Sequence, residues 1–281
     1  MDESLRVRPA APLRPYVAWY SGYRQRGLAP ARHRGLPSPW LTFILTLDEP
    51  LTVAAHPDPR QPGAAYDSLL GGLHTTPALI THQGSQSGIQ LALHPLGARA
   101  LLGLPAGELA SLDLPAEALL GPAVHELRER VLAAPDWAGR FAVLDQELTG
   151  LARPARAPDP EVCRAWQLLT ATGGALPVAE LAREVGWSRR HLAGRFRRET
   201  GLTPKAAARV IRFDRARRRL DSPGAGGLAG LAARTGYFDQ AHLAREFRAL
   251  AGCSPTRWLA EERPGAARGR TPDRELSRPL G

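Results

Sequence analysis

Arginine and glutamine side chains at helical spacing can read the edges of DNA bases, and two short stretches of this chain carry them in matching arrangements. In the first, Arg189, Arg190, Ala193, Gly194 and Arg197 fall on the outward side of a helix that would begin after Ser188. In the second, Gln240, Ala241, His242, Ala244, Arg245 and Arg248 take that side of a helix beginning after Asp239. Arginine pairs bidentately with guanine and glutamine with adenine, while a small residue leaves room for a thymine methyl. A helix start also exposes backbone N–H groups that suit phosphates, and Ser188 and Asp239 are good capping residues. Asp239 is itself an anion, so capping rather than phosphate contact is its expected role. An arginine-rich helix face is by itself usually only solvated surface. What raises these two above that reading is that they are copies of one another.

The elements that must hold them are legible as an internal repeat. LAREVGWSRRHLAGRFRRETGLTP (181–204) aligns with LAARTGYFDQAHLAREFRALAGCSP (231–255). Leu181, Ala182, Gly186 and Trp187 match Leu231, Ala232, Gly236 and Tyr237 at an offset of 50. After one inserted residue, His191, Leu192, Phe196, Gly201 and Pro204 match His242, Leu243, Phe247, Gly252 and Pro255 at 51. Each copy reads as helix, tight turn, helix. Pro177 suits a helix start, and Val178, Leu181, Ala182 and Val185 make one apolar face. Gly186 supplies the left-handed backbone that ends the helix, Ser188 caps the next, and Leu192 and Phe196 point inward at i,i+4. In the second copy Leu228, Leu231 and Ala232, then Gly236, Asp239, Leu243 and Phe247, take the same roles. That is a helix-turn-helix pattern, whose second helix lies in the major groove. Trp187 and Tyr237 are expected in the core, and the recurrence of His191 and His242 predicts a partly structural role. Between the copies, KAAARVIRFDRARRRLD (205–221) predicts a long connecting helix.

Charge follows the same division. Residues 1–160 hold 14 basic and 15 acidic side chains, residues 161–262 hold 18 and 10, and residues 263–281 hold 5 and 2. The net charge of +10 therefore sits in the C-terminal part, as expected of a surface facing polyanionic phosphate. Lys205 is the only lysine; the choice of arginine over lysine reflects codon bias, but its placement does not. An apolar content of 43% is ample for two cores.

A Pro-rich linker, ARPARAPDP (152–160), is expected to separate residues 1–151 from 161–262, with a disordered Pro/Gly/Arg-rich tail over 263–281. Within 16–95 the segments Tyr16–Tyr20, WLTFILTL (40–47), Leu51–Ala54 and IQLALHP (89–95) read as strands between Gly and Pro clusters. From Gly97 to Leu151 the character turns helical, with Val124, Leu127, Val131 and Leu132 at helical spacing. The fold class is α+β: a β-rich, cupin-like or related N-terminal sensor or dimerisation domain with a helical end, then an all-α domain.

At this point residues 161–262 resemble the C-terminal DNA-binding domain of the AraC/XylS family of bacterial transcription regulators. GYFDQAHLAREFRALAGCSPTRW (236–258) carries the specific match, and SRRHLAGRFRRETGLTP (188–204) the more degenerate first copy. The resemblance implies two helix-turn-helix units on a connecting helix, each inserting one recognition helix into the major groove of promoter DNA. By position it implies groove contacts from Arg190, Ala193 and Gly194 in the first copy and from Gln240, His242 and Arg245 in the second. Ala193 and Gly194 depart from the longer polar readers common there. SPGAGG (222–227) is read as a flexible stretch before the second unit. RPYVAWYSGY (14–23) and GSQSGIQLALHPLGARALLGLP (84–105) loosely resemble one group of the β-rich sensor or dimerisation domains of such regulators, from which no effector follows; a small molecule or a second copy of the chain at the N-terminal domain, and RNA polymerase, are the expected partners.

Other chemistry is weakly supported. His33, His56, His74, His82 and His94 are not closely spaced with a following carboxylate, so no metal and no cofactor are expected. Ser68, Ser85 and Ser87 lack a nucleophile-elbow context, and no enzyme activity is expected. Cys163 and Cys253 form no disulfide framework, which fits a reducing cytoplasm. No apolar run reaches the roughly 18 residues of a membrane span, and MDESLRVRPAAP does not read as a signal peptide.

Overall fold

WLTFILTL is apolar at nearly every position because its strand is covered on both faces, which erases the alternation of a half-exposed strand. The computed structural model describes residues 2–153, 156–220 and 227–262. Its strands are β1 (Asp2–Val7), β2 (Val17–Gln25), β3 (Ala31–Gly35), β4 (Leu41–Thr46), β5 (Leu51–Ala55), β6 (Ala64–Tyr66), β7 (Ser68–Gly71), β8 (Ala78–His82), β9 (Gln86–Leu93) and β10 (Asp113–Pro115). They form a six-stranded sheet, β1-β2-β9-β4-β7-β10, and a four-stranded sheet, β3-β8-β5-β6, with antiparallel pairing throughout.

On β4, Leu41, Phe43 and Leu45 join Leu70, Ile89 and Leu91 in the main core, whereas Ile44 faces the other way and packs with Leu69, Val53, Tyr66 and Ala78 between the sheets. Helices then cover the main core: α1 (Ala98–Leu102), α2 (Glu117–Leu120), α3 (Ala123–Ala133) and α4 (Trp137–Leu151). Val124, Leu127 and Val131 of α3 and Phe141, Leu144 and Leu148 of α4 are its inward residues. Phe141 stacks on Tyr20 at 6.0 Å, and the Tyr20 hydroxyl donates to Asp145 at 3.1 Å. This face of the helical segment is thus occupied within the chain.

β1 is not among the expected strands, and the strand read over 89–95 runs from Gln86 to Leu93; the expected elements differ from the structure in three further places. The strand beginning near Tyr16 runs on to Gln25. β10 interrupts the stretch read as helical, because Asp113–Pro115 pairs with β7. Leu132, counted in the apolar stripe of α3, is 38% exposed on its outer side.

The C-terminal part is all helix among the described residues: α5 (Pro160–Ala171), α6 (Val178–Glu184), α7 (Arg189–Thr200), α8 (Pro204–Leu220), α9 (Gly227–Thr235), α10 (Gln240–Ala251) and α11 (Pro255–Glu262). The expected connecting helix is α8. Most of SPGAGG and all of 263–281 lie outside the described residues, as do two residues of the linker.

The two parts touch. Arg99 of α1 grips Glu199 of α7 with two hydrogen bonds, at 2.9 and 3.0 Å. Arg34 of β3 reaches Glu261 and Glu262 of α11, both at 2.8 Å. The 3-10 turn Ala106–Leu109 lies against the end of α7 so closely that a Cβ on Gly107 would overlap the Arg198 carbonyl oxygen.

Candidate nucleic-acid interface

The repeat in the sequence is a repeat in space, down to individual hydrogen bonds. α6 and α9 each end on a glycine at positive φ, Gly186 at 71° and Gly236 at 81°. A side chain would be strained there. The following aromatic N–H then returns to the preceding helix, Trp187 N to Ala182 O and Tyr237 N to Ala232 O, each at 3.0 Å. Ser188 caps α7 by accepting from the His191 N–H at 3.2 Å, and Asp239 caps α10 by accepting from the His242 N–H at 2.6 Å. Both second helices are 12 residues long and close on left-handed glycines, Gly201 and Gly252.

The repeated histidines are explained by the same frame. His191 meets the edge of Trp187 at 4.5 Å and 85°, and His242 meets Tyr237 at 5.2 Å and 83°. Each histidine braces the turn against its aromatic residue, so the expected structural role is present, and His242 is half-buried rather than fully outward. Tyr237 is buried, and its burial pushes the phenol pKa up; Trp187 is half-buried. Leu192 and Phe196 in one unit, and Leu243 and Phe247 in the other, are fully buried.

The remaining residues of interest lie on the open side. Ser188, Arg189, Arg190, Gly194 and Arg197 are exposed on α7 and its cap, with Ala193 half-buried. Gln240, Ala241, Arg245 and Arg248 are exposed on α10. The two sets lie on separate helices and do not converge on one cavity. Among the described residues, Arg189, Arg190, Arg197, Arg245 and Arg248 meet no carboxylate within ion-pair distance. Nearby arginines are taken: Arg195 of α7 by Asp159 at 2.5 Å, and on α8 Arg209 by Glu246 of α10 at 2.6 Å and both Arg217 and Arg218 by Asp214.

Gly194 sits mid-helix, where glycine costs roughly 1 kcal/mol relative to alanine. A Cβ there would meet nothing within 4 Å, so no packing inside the chain uses the missing side chain. A shallow cleft of about 460 Å³ opens at this point, lined by Ser188, Arg190, His191, Gly194, Arg195 and Arg198. Arg198 was not singled out from the sequence, although its i+4 spacing from Gly194 would have found it. Phe238 was also missed; its only signal is that it is the extra residue of the second copy. Because the caps set the start of each second helix, Asp239→Ala is expected to lower stability by about 1 kcal/mol, read as an earlier urea midpoint. An unshifted midpoint would mean the cap contributes nothing in solution.

A second cleft, of about 540 Å³, lies where β3 meets α11 and is lined by Arg32, His33, Arg34, Leu79, Arg257 and Glu261. Burial lowers His33 to about 4, with His82 nearby adding to the effect. The other histidines are dispersed. His56 is buried between Asp113, at 2.7 Å, and the Tyr66 hydroxyl, at 3.2 Å, and His94 packs edge-on to Trp40. Among the described residues no group of three or more His, Cys, Asp or Glu is placed to hold a metal ion. Nor is any helix among them long and apolar enough to cross a membrane.

Known proteins share both parts. Residues 162–261 match the family model described as a helix-turn-helix domain, and residues 5–115 match one described as a domain of unknown function, DUF6597. A curated relative, the "Probable thc operon regulatory protein" of Rhodococcus erythropolis, is 30% identical over 178 residues, 60% of this chain. The match spans about half of that relative, 51% of its length. ToxT from Vibrio cholerae has a similar fold at 11% identity, with a TM-score of 0.51 over 86% of this chain and 97% of that one. A ToxT structure with an unsaturated fatty acid bound aligns with a TM-score of 0.52 at 10% identity, over 90% of this chain and 97% of that one.

Proposed function

We propose, on the premise that this chain is a regulator of the AraC/XylS family, that it binds promoter DNA sequence-specifically with α7 and α10 in successive major grooves. Residues 161–262 act as the DNA-binding domain and residues 1–151 as the sensor or dimerisation domain. The observation that carries this reading is the matched pair of capped helices whose outward arginines have been left without carboxylate partners, while their neighbours are paired. An unpaired guanidinium on a helix face keeps its fork free for guanine or phosphate.

The roles divide by position. Arg190, Ala193 and Gly194 face the groove from α7, where the small residues admit a thymine methyl or a close backbone approach. Gln240, Ala241, His242 and Arg245 face it from α10, nearer the helix start, which is the end that contacts base edges. Arg189, Arg197 and Arg248 lie further round and bind phosphate, with Ser188 holding the first helix start open to it. A small-molecule effector acts from the N-terminal part. The fatty acid bound to ToxT is a precedent for such a ligand, and the cleft between β3 and α11 is where one would touch both parts. RNA polymerase and a second copy of the chain are the further partners of this reading.

The test is selection of genomic fragments by the purified full chain, followed by titration of variants on the recovered operator. Arg245→Ala is expected to lose roughly 5- to 150-fold in affinity and to relax preference at one base pair. Arg197→Ala is expected to weaken all sequences alike and to reduce the slope of log K against log salt by about 0.9. Equal affinity for promoter fragments and random DNA at physiological salt would defeat the reading.

A further inference from the structure

The turn of the second unit is one residue longer than that of the first, and the extra residue is Phe238. The first unit passes from Gly186 through Trp187 directly to its cap, Ser188; the second passes from Gly236 through Tyr237 and Phe238 to Asp239. Tyr237 takes the inward position, 4% exposed, so the added residue is turned outward and Phe238 is 93% exposed. No other large apolar side chain among the described residues is open to that degree, the next being Leu28 at 39%.

The backbone on both sides of Phe238 is held. Tyr237 N donates to Ala232 O at 3.0 Å, the Phe238 N–H donates to His242 Nδ1 at 3.4 Å, and the Asp239 carboxylate caps α10. The ring is therefore presented by a fixed turn rather than by contacts of its own. Two arginines also bind the backbone just before the turn: Arg212 donates to the Gly236 carbonyl at 3.3 Å, and Arg219 to the Arg234 carbonyl at 2.9 Å. An exposed apolar ring two residues before Gln240, on the turn that leads into α10, suits an apolar group displayed within a polyanion. The C5-methyl of thymine is that group in the major groove, and phenylalanine is among the side chains that contact it.

We propose that Phe238 is a specificity-determining residue of the second unit, seating against a thymine methyl at the edge of the α10 site. This rests on the DNA-binding reading above. It assigns to the second unit the thymine preference that Ala193 and Gly194 can only permit in the first.

The test uses the full chain on its selected operator, with each thymine replaced in turn by deoxyuridine. The wild-type protein should lose about four-fold at one thymine, the worth of one buried methyl. Phe238→Ala should bind the unmodified operator roughly ten-fold more weakly and become indifferent to that same methyl, with non-specific affinity unchanged. Phe238→Leu should keep part of the methyl effect. Because the side chain is solvent-exposed, the melting temperature of either variant should match wild type, so a binding loss is not a folding loss.

A uracil scan without a sensitive position, or a Phe238→Ala loss equal on operator and random DNA, would overturn the proposal and leave the DNA-binding reading standing. So would unchanged DNA affinity with lost promoter output, which would put Phe238 against a protein partner. Failure to select any operator would remove the reading and this inference together.

Discussion

Replacing Arg99 by alanine is expected to destabilise the folded chain by about 1–3 kcal/mol, less than for a fully buried ion pair because the Arg99 side chain is itself 25% exposed. The Glu199 side chain is only 8% exposed, and Arg99 covers it with a bidentate fork from 100 residues away. Without the guanidinium, a carboxylate in the last turn of α7 is left dehydrated, close to the negative end of that helix. Arg99→Lys keeps the charge but not the fork and should recover only part of the loss. The double variant Arg99→Ala, Glu199→Gln should be more stable than Arg99→Ala alone, because the stranded charge is gone. Urea unfolding of the four proteins supplies the measurement. A single variant within about 0.5 kcal/mol of wild type, the range of an ordinary surface substitution, would show that the pair is solvated in solution.

The pair also gives the N-terminal part a direct hold on α7. Glu199 lies two residues beyond Arg197, and Gly107 abuts the backbone of the same turn. A shift of α1 or of the turn at 106–109 would be felt by α7 before any other proposed DNA-contacting element. The second unit is held separately, through Arg34 and the α11 carboxylates.

The parts of the fold that were legible in the sequence are those governed by local rules. Ser188 and Asp239 as caps, Gly186 and Gly236 as left-handed stops, and Leu192, Phe196, Leu243 and Phe247 as inward residues all follow from spacing within a dozen positions. The doubling of the pattern supplied an internal control for each. What escaped depends on partners far along the chain. β1 is a mostly polar edge segment that exists because β2 offers it a ladder. β10 is three residues set among helices, held by β7 and by the contact of Asp113 with His56. Arg99 and Glu199 carry no mark of each other. Leu132 has the right spacing for the α3 stripe but lies at its edge, where neighbouring elements decide exposure. Phe238 was visible only as a gap in an alignment, and its outward direction follows from Tyr237 having claimed the inward place.

Phe247→Ala is expected to cost about 3–5 kcal/mol and to lower the melting temperature by roughly 10 °C, a larger loss than any substitution on the outward faces. The ring is fully buried and meets Phe213 of α8 at 5.0 Å and Trp258 of α11 at 6.0 Å, so it joins the connector, the reading helix and the last helix at one point. Truncation removes two aromatic contacts and leaves a cavity that three helices cannot all close upon. Phe247→Leu refills most of the volume and should lose about half as much. The functional consequence should differ in kind from that of Arg245→Ala. The outward variant loses affinity for its operator with an unchanged melting temperature. The inward one keeps every outward side chain but frees α10 to tilt on α8, which carries the spacing between the two reading helices. Its specific binding should therefore fall more than its non-specific binding, even at temperatures where it remains folded. Parallel thermal melts and titrations on operator and random DNA separate the two. If Phe247→Ala bound its operator with wild-type affinity and melted within about 2 °C of wild type, α10 would not be held through this aromatic cluster.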